Sequence, residues 1–158
     1  MKSFFVAIGD WLYYTHLRYH IRDVEYVLDV GCGENSPLAK VPKHYYLVGV
    51  DAFEPSIIKS KKAGIHDAYK KGSVLTIDHM FRKKEFDAVI ALDLIEHLEK
   101  KDGYDLIKKM SLLARKKIII MTPNGFYKQE PYEGNTYQIH RSGWTVDDFR
   151  RLGFTVRG

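Results

Sequence analysis

A glycine-rich loop follows the first strongly apolar run of the sequence and carries residues suited to binding a charged ligand. The run Tyr26–Val30 contains Asp29 and leads directly into Gly31, Cys32 and Gly33. Glycine adopts positive φ angles at little cost and lets a ligand approach the backbone closely. A helix that begins after such a loop presents free N–H groups and the positive end of its dipole. The pattern therefore predicts a nucleotide-cofactor loop at the carboxyl edge of a sheet.

A second acid, Asp51, ends the next apolar run and lies 20 residues beyond Gly31. An acid at this position can accept hydrogen bonds from both hydroxyls of a ribose. Ser36 stands where a dinucleotide-binding loop has its third glycine. Asp29 would repel a pyrophosphate, whereas it suits the ammonium and sulfonium groups of S-adenosylmethionine. These residues favour S-adenosylmethionine over NAD as the ligand. The alternative to a cofactor site is a purely structural, tight strand-to-helix turn with an acid on the surface.

Strand-like and helix-like segments alternate along the chain, and this alternation predicts how the loops are positioned. Four runs are apolar on both faces, as buried parallel strands are: Tyr26–Val30, Tyr45–Val50, Phe86–Leu92 and Lys117–Met121. Two weaker strands are predicted over Asp67–Val74 and Phe154–Arg157. Helices are predicted over Ser36–Lys40, Pro55–Ala63, Thr76–Phe81, Lys101–Ala114 and Thr145–Leu152. The order predicts an α/β, doubly wound, mostly parallel sheet.

Residues 1–22 precede this pattern and predict an N-terminal helix. Its apolar residues and one threonine recur near helical spacing: Phe4, Phe5, Ile8, Trp11, Leu12 and Thr15. We expect this helix to pack on the domain; a lid over the active site and a helix on a membrane surface are the alternatives. No apolar run approaches the ~20 residues that span a bilayer, so no transmembrane segment is expected.

Composition limits the classes of function. The chain has 158 residues, of which 45% are hydrophobic, and we expect a single domain over residues 1–158. One cysteine, Cys32, excludes an internal disulfide and agrees with a cytoplasmic location. The net charge of +5 arises from basic groups scattered among acidic ones. A nucleic-acid partner is therefore not expected.

Five short segments, in this order and at this spacing, resemble the class I S-adenosylmethionine-dependent methyltransferases. The similarity is greatest to the broad group that includes the ubiquinone-pathway methyltransferases, and it covers about residues 24–125. The segments read Val-Leu-Asp-Val-Gly-Cys-Gly at 27–33, Val-Gly-Val-Asp at 48–51, Phe-Asp-Ala-Val-Ile-Ala at 86–91, Leu-Ile-Glu-His-Leu at 94–98 and Thr-Pro-Asn-Gly at 122–125. The resemblance implies a Rossmann-like class I methyltransferase fold and S-adenosylmethionine as the cofactor.

The resemblance also implies positions that contact the cofactor. Along the chain, they would contact the cofactor from its methionine end through the ribose and adenine to the methyl group. These positions are Asp29, Gly31, Cys32, Gly33, Asp51 (on the ribose), Ala52, Phe53, Ser73, Val74, Leu75, Asp93 and Leu94. Two residues depart from the family pattern, since Asn35 replaces the third loop glycine and Ser73 stands where many relatives have an acid. The sequence stops at Gly158, before the usual last antiparallel strand. We therefore expect the Phe154–Arg157 edge to be exposed or covered by a partner, such as a second copy of the chain.

Methyl transfer is a displacement at a sulfonium carbon, so the protein mainly aligns donor and acceptor. An oxygen or carbon acceptor often also needs a base. His140 is the first candidate base, because it lies in the polar, aromatic segment Tyr127–Trp144 and similar relatives often carry a histidine there. His97 is the second and Asp93 the third; a merely structural or surface role for His140 is the alternative. No metal constellation is expected, because the acids do not cluster as a magnesium site requires.

The leading interpretation is a methyltransferase with a small-molecule acceptor. Tyr127, Tyr132 and Tyr137 could pack against an aromatic acceptor, and simple packing of the loop is the alternative. A methyltransferase that acts on protein, RNA or glycan is a second interpretation. A catalytically silent cofactor-binding subunit and an NAD-dependent enzyme are the others.

Overall fold

A parallel sheet forms the centre of the protein. The computed structural model describes residues 2–131 and 134–157, with side chains from residue 12 onward. The strands within these residues are β1 (Tyr26–Val30), β2 (Tyr46–Asp51), β3 (Ala68–Lys71), β4 (Phe86–Leu92) and β5 (Ala114–Met121). They pair in parallel in the order β3-β2-β1-β4-β5. The predicted doubly wound α/β fold is confirmed.

The strand order determines where a ligand can bind. β1 pairs with β2 on one side and with β4 on the other, so the chain reverses its direction of winding between β3 and β4. Every residue of β4 is buried, which explains its apolar sequence without alternation. In open α/β sheets, ligands bind outside the carboxyl ends of the strands at this reversal point. The loops after β1 and β4 therefore define the candidate site.

Helices cover both faces of the sheet. They are α1 (Lys2–Ile21), α2 (Glu54–Ala63), α3 (Ile77–Met80), α4 (Lys100–Leu113) and α5 (Val146–Arg151). Short 3₁₀ turns cover Pro37–Lys40, Val74–Thr76, Ile95–His97 and Thr136–Gln138. The predicted start of α5 is confirmed, because Thr145 and Asp148 form a reciprocal capping box. Gly153 follows the helix at φ +84°, as a glycine stop does.

The N-terminal helix forms, but its buried face differs from the expected one. Leu17 and Ile21 enter the apolar cluster on one face of the sheet, with Tyr13 packed against it. These residues recur every fourth position, which places them on one helical face. Leu12 is 46% exposed and Thr15 is also exposed, so the predicted stripe was wrong there. The side chains of Phe4, Phe5, Ile8 and Trp11 lie outside the described residues. In the part of the chain that is described, no helix is long and apolar enough to cross a membrane.

The predicted strand at Phe154–Arg157 does not form. After Gly153, the Phe154 N–H donates to the Phe149 carbonyl, which turns the chain back onto α5. Phe154 and Val156 then pack against a cluster that contains the fully buried Trp144. Packing against aromatic rings removes these apolar side chains from water, so the segment need not pair as a strand. Among the described strands, β5 is therefore the outermost strand on this side of the sheet. The sequence pattern predicts Phe154–Arg157 in that position instead.

Candidate cofactor and acceptor site

The loop after β1 adopts the shape that its glycines allow. Gly31 and Gly33 have φ angles of +70° and +56°, which side-chain-bearing residues rarely adopt. The N–H groups of Gly31 and Cys32 both donate to the Val50 carbonyl, at 2.8 and 3.0 Å. A Cβ at Gly31 would lie 2.5 Å from Leu94 Cδ1. The loops after β1 and β4 are therefore in direct contact, as a shared ligand site requires.

Asp29 lies beneath this loop and is only 2% exposed. Its Oδ2 accepts a hydrogen bond from the Ser36 hydroxyl at 2.6 Å and lies 2.9 Å from His66 Nε2. His66 in turn contacts the Ser60 and Tyr69 hydroxyls through Nδ1. The second oxygen, Oδ1, is the one left for a ligand ammonium, so contact with the cofactor stays a prediction. Sequence reasoning missed Ser36 and His66 as partners of Asp29, since neither belongs to a recognisable spacing.

Asp51 is held at the end of β2 by two backbone amides. Oδ2 accepts from the Gly33 N–H at 2.9 Å, and Oδ1 accepts from the Phe53 N–H at 2.8 Å. Burial raises the pKa of this carboxyl, and the two amide hydrogen bonds oppose that rise. A carboxylate offers about four acceptor positions, so each oxygen keeps one for a ribose hydroxyl. The geometry fits the predicted ribose contact without demonstrating it.

The other residues that are implied to contact the cofactor differ in which of their groups a ligand could reach. The Cys32 thiol is buried and packs where a Cβ of Gly49 would stand, and burial raises its pKa well above the ordinary value. Val74 is buried in the core, so only its backbone is available to a ligand. Ser73 is exposed, and its hydroxyl accepts from the Leu75 N–H while keeping its own proton to donate. Ala52 and Phe53 are half-buried after β2, and Leu75 is half-buried after Ser73.

The end of β4 is strained. Asp93 has φ +50°, which is uncommon for a residue other than glycine, and its N–H donates to the Met121 carbonyl at 3.0 Å. Such conformations cluster at functional sites, although they also occur elsewhere, as at Lys84 with φ +55°. Neighbouring groups partly desolvate Asp93, and this effect, together with the smaller effect of the nearby Glu96 carboxylate, raises its pKa to about 6. Part of the Asp93 residue nevertheless remains exposed to solvent.

Three side chains that the sequence did not group together meet beyond Asp93. One ligating atom each of Glu96, His97 and His140 lies within 4.8 Å of the others. The rings of His97 and His140 are 4.8 Å apart, edge to face. Burial raises the pKa of Glu96 and lowers the pKa of His97. The two candidate bases, His97 and His140, therefore lie side by side. The expectation of no metal constellation considered clustered acids alone, and it stays untested for this mixed set.

Backbone hydrogen bonds hold His140 in this place. The Arg141 and Ser142 N–H groups both donate to the Glu96 carbonyl, at 2.8 and 3.1 Å. Two residues later, the indole of Trp144 donates to the Ile95 carbonyl at 3.3 Å. The loop that carries His140 is thus fixed to the Ile95–His97 turn, which explains how a distant histidine reaches the end of β4.

The segment that carries His140 contains two exposed tyrosines. Tyr127 and Tyr137 are 60% and 59% exposed, whereas Tyr132 lies outside the described residues. The Tyr127 carbonyl accepts from His140 Nδ1 at 2.6 Å. On α1, the buried Tyr13 hydroxyl has no hydrogen-bond partner among the described residues. Burial and, to a smaller extent, the charge of Asp93 raise its pKa. The helix α1 therefore approaches the end of β4 while it packs on the domain as expected, and the alternative role of a lid stays a prediction.

The strand order, the glycine loop and the acid at the end of β2 define an α/β protein that binds a nucleoside-containing cofactor. A family model described as "Methyltransferase domain" matches residues 28–120, and the chain belongs to this family. The expectation of a methyltransferase is confirmed at the level of this family, and S-adenosylmethionine is the cofactor that the predicted class uses. The ubiquinone-pathway subgroup is not confirmed. No curated protein matches the chain.

Solved structures share the fold. A SAM-dependent methyltransferase from Archaeoglobus fulgidus is 22% identical with a TM-score of 0.67, over 90% of this chain and 66% of that one. The PH0226 protein from Pyrococcus horikoshii OT3 is 25% identical with a TM-score of 0.60, over 67% of this chain and 52% of that one. Magnesium protoporphyrin IX methyltransferase from Synechocystis PCC 6803, with bound SAM, is 18% identical with a TM-score of 0.64, over 97% of this chain and 73% of that one. The chain therefore spans only half to two thirds of the first two proteins.

Proposed function

We propose that this protein transfers the methyl group of S-adenosylmethionine to a hydroxyl oxygen of a small molecule. One observation carries the proposal: Asp93, His97 and His140 gather beside the loop after β1, where Leu94 contacts Gly31. Titratable groups serve an acceptor that must lose a proton, and a hydroxyl is such an acceptor.

The proposed reaction is a single displacement. The acceptor oxygen forms a bond to the methyl carbon while the carbon–sulfur bond breaks and its electron pair stays on sulfur, which yields S-adenosylhomocysteine. The hydroxyl proton passes to one member of the cluster of Asp93, His97 and His140. Since the sulfonium is already activated, alignment in the cleft supplies much of the acceleration, on the order of 7–11 kcal/mol.

The proposed acceptor is planar and aromatic, because the segment that carries His140 exposes tyrosine rings. Tyr127 and Tyr137 expose more than half of their surfaces within three to thirteen residues of His140. Exposed aromatic rings pack well against the face of another ring. We therefore propose a small aromatic alcohol as the acceptor, with a protein, RNA or glycan acceptor as the alternative. A cofactor-binding subunit without activity is the remaining alternative, and it predicts binding without turnover.

The test measures S-adenosylhomocysteine formation with a panel of phenols, catechols and aliphatic alcohols. We expect turnover with an aromatic alcohol, and a loss of about 100- to 10,000-fold in rate for His140→Ala. The affinity for S-adenosylmethionine should stay unchanged in this variant, because the cluster contacts the acceptor. His79→Ala is the matched control, since the His79 side chain is 81% exposed on α3. Full activity of His140→Ala, or methylation of nitrogen alone, would contradict the proposal.

A further inference from the structure

We propose that Glu96, His97 and His140 form a binding site for one divalent transition-metal cation. One ligating atom of each side chain lies within 4.8 Å of the others. Ligands that share one ion at about 2.1 Å are at most about 4.2 Å apart, so a small closing movement of the side chains suffices. This inference depends on the proposed function only in assuming that the methyl acceptor binds beside the cation.

Both histidines hydrogen-bond to a backbone carbonyl through the same ring nitrogen, Nδ1. His97 Nδ1 lies 3.3 Å from the Ile139 carbonyl oxygen, and His140 Nδ1 lies 2.6 Å from the Tyr127 carbonyl oxygen. A carbonyl can only accept, so each Nδ1 must carry the proton. The neutral ring then presents an unprotonated Nε2. Histidine ligands of metals are oriented in this way, with the other ring nitrogen donating to a carbonyl or carboxylate.

The carboxylate of the set is also oriented. Glu96 is 3% exposed, and its Oε2 accepts from the Thr122 hydroxyl at 2.9 Å. No lysine or arginine forms an ion pair with Glu96 within residues 12–131 and 134–157. A buried carboxylate without a cationic partner is costly. A bound cation supplies the missing charge.

The donor set selects the class of cation. Two imidazole nitrogens and one carboxylate oxygen suit manganese, iron, cobalt or zinc, whereas magnesium and calcium prefer oxygen ligands alone. Three protein ligands also leave coordination positions open. A cation held by these residues would lower the pKa of an acceptor hydroxyl bound at an open position, and Asp93, which lies outside the ligand set, would accept the proton.

The first experiment is a titration of EDTA-treated, tag-free protein with CoCl₂, followed by visible absorption. We expect one equivalent of Co²⁺ per chain, displaced by ZnCl₂ but not by excess MgCl₂. His140→Ala and Glu96→Gln should each weaken Co²⁺ binding by at least about 10-fold. Glu96→Gln keeps an acceptor for Thr122, so its melting temperature without metal should match the wild type. His79→Ala is the control and should bind Co²⁺ normally.

Binding of S-adenosylhomocysteine, measured by calorimetry in the same variants, separates the two proposals. Retained S-adenosylhomocysteine binding without Co²⁺ binding would overturn the metal site and leave the methyltransferase proposal standing. Co²⁺ binding without S-adenosylhomocysteine binding would support the site and contradict the methyltransferase proposal. Co²⁺ binding that survives in both His140→Ala and Glu96→Gln would also overturn the metal site, because the cation would then lie elsewhere.

Discussion

Replacing Asp51 by alanine tests how the protein holds the ribose of its cofactor. Each carboxylate oxygen already accepts one backbone N–H, from Gly33 at 2.9 Å and from Phe53 at 2.8 Å, and keeps one position for a ribose hydroxyl. Hydrogen bonds to a charged group contribute ~1.5–3 kcal/mol each and are not additive. We therefore expect Asp51→Ala to cost ~2–3 kcal/mol of binding free energy. This corresponds to about a 30- to 150-fold higher Kd for S-adenosylhomocysteine.

The assay is calorimetry with S-adenosylhomocysteine, with the melting temperature as a check on folding. Asp51→Asn should fall between wild type and Asp51→Ala, because the amide keeps one acceptor oxygen but loses the charge. Asp105→Ala is the matched control, since Asp105 lies on α4 and pairs with Lys109. An unchanged Kd in folded Asp51→Ala, or an equal loss in Asp105→Ala, would refute the ribose contact.

Two further predictions concern the glycine loop and the last helix. Gly31→Ala should lower both the melting temperature and the cofactor affinity, because φ is +70° and the new Cβ would lie 2.5 Å from Leu94 Cδ1; wild-type values for both would contradict this. Lys100 and the amide of Thr145 lower the pKa of Asp148 from 3.8 to about 2, so this pairing adds stability above pH 3.8 and loses it as the pH falls towards 2. Denaturant melts should show Asp148→Asn less stable than wild type by about 1–2 kcal/mol at pH 7 after allowance for solvent screening, with a smaller difference at pH 3; a difference that does not depend on pH would exclude the charge as the cause.

The central strands and the cofactor loop could be predicted because their signals are local. β4 is buried on both faces and therefore reads as an unbroken apolar run, so Phe86–Leu92 was predicted with its observed bounds. Gly31 and Gly33 adopt the positive φ angles that their residue type suggested. The predicted strand at Phe154–Arg157 was wrong, because an apolar segment near Trp144 can be buried by ring packing instead of by pairing.

The acceptor side of the site could be predicted only in part, because its geometry depends on contacts distant in sequence. His97 and His140 are separated by 43 residues, and no periodicity relates them. Two backbone N–H groups that donate to the Glu96 carbonyl bring them together, and backbone hydrogen bonds of this kind leave no mark in the sequence. The contact of His66 with Asp29 has the same character, since 37 residues separate the two side chains.

Titration of the purified protein with S-adenosylhomocysteine and with NAD in parallel tests the central claim most directly. The account predicts saturable binding of S-adenosylhomocysteine at one site per chain and little or no binding of NAD, because Asp29 precedes the loop and Ser36 replaces the third glycine of a dinucleotide site. A preference for NAD, or no binding of S-adenosylhomocysteine by the folded protein, would contradict it.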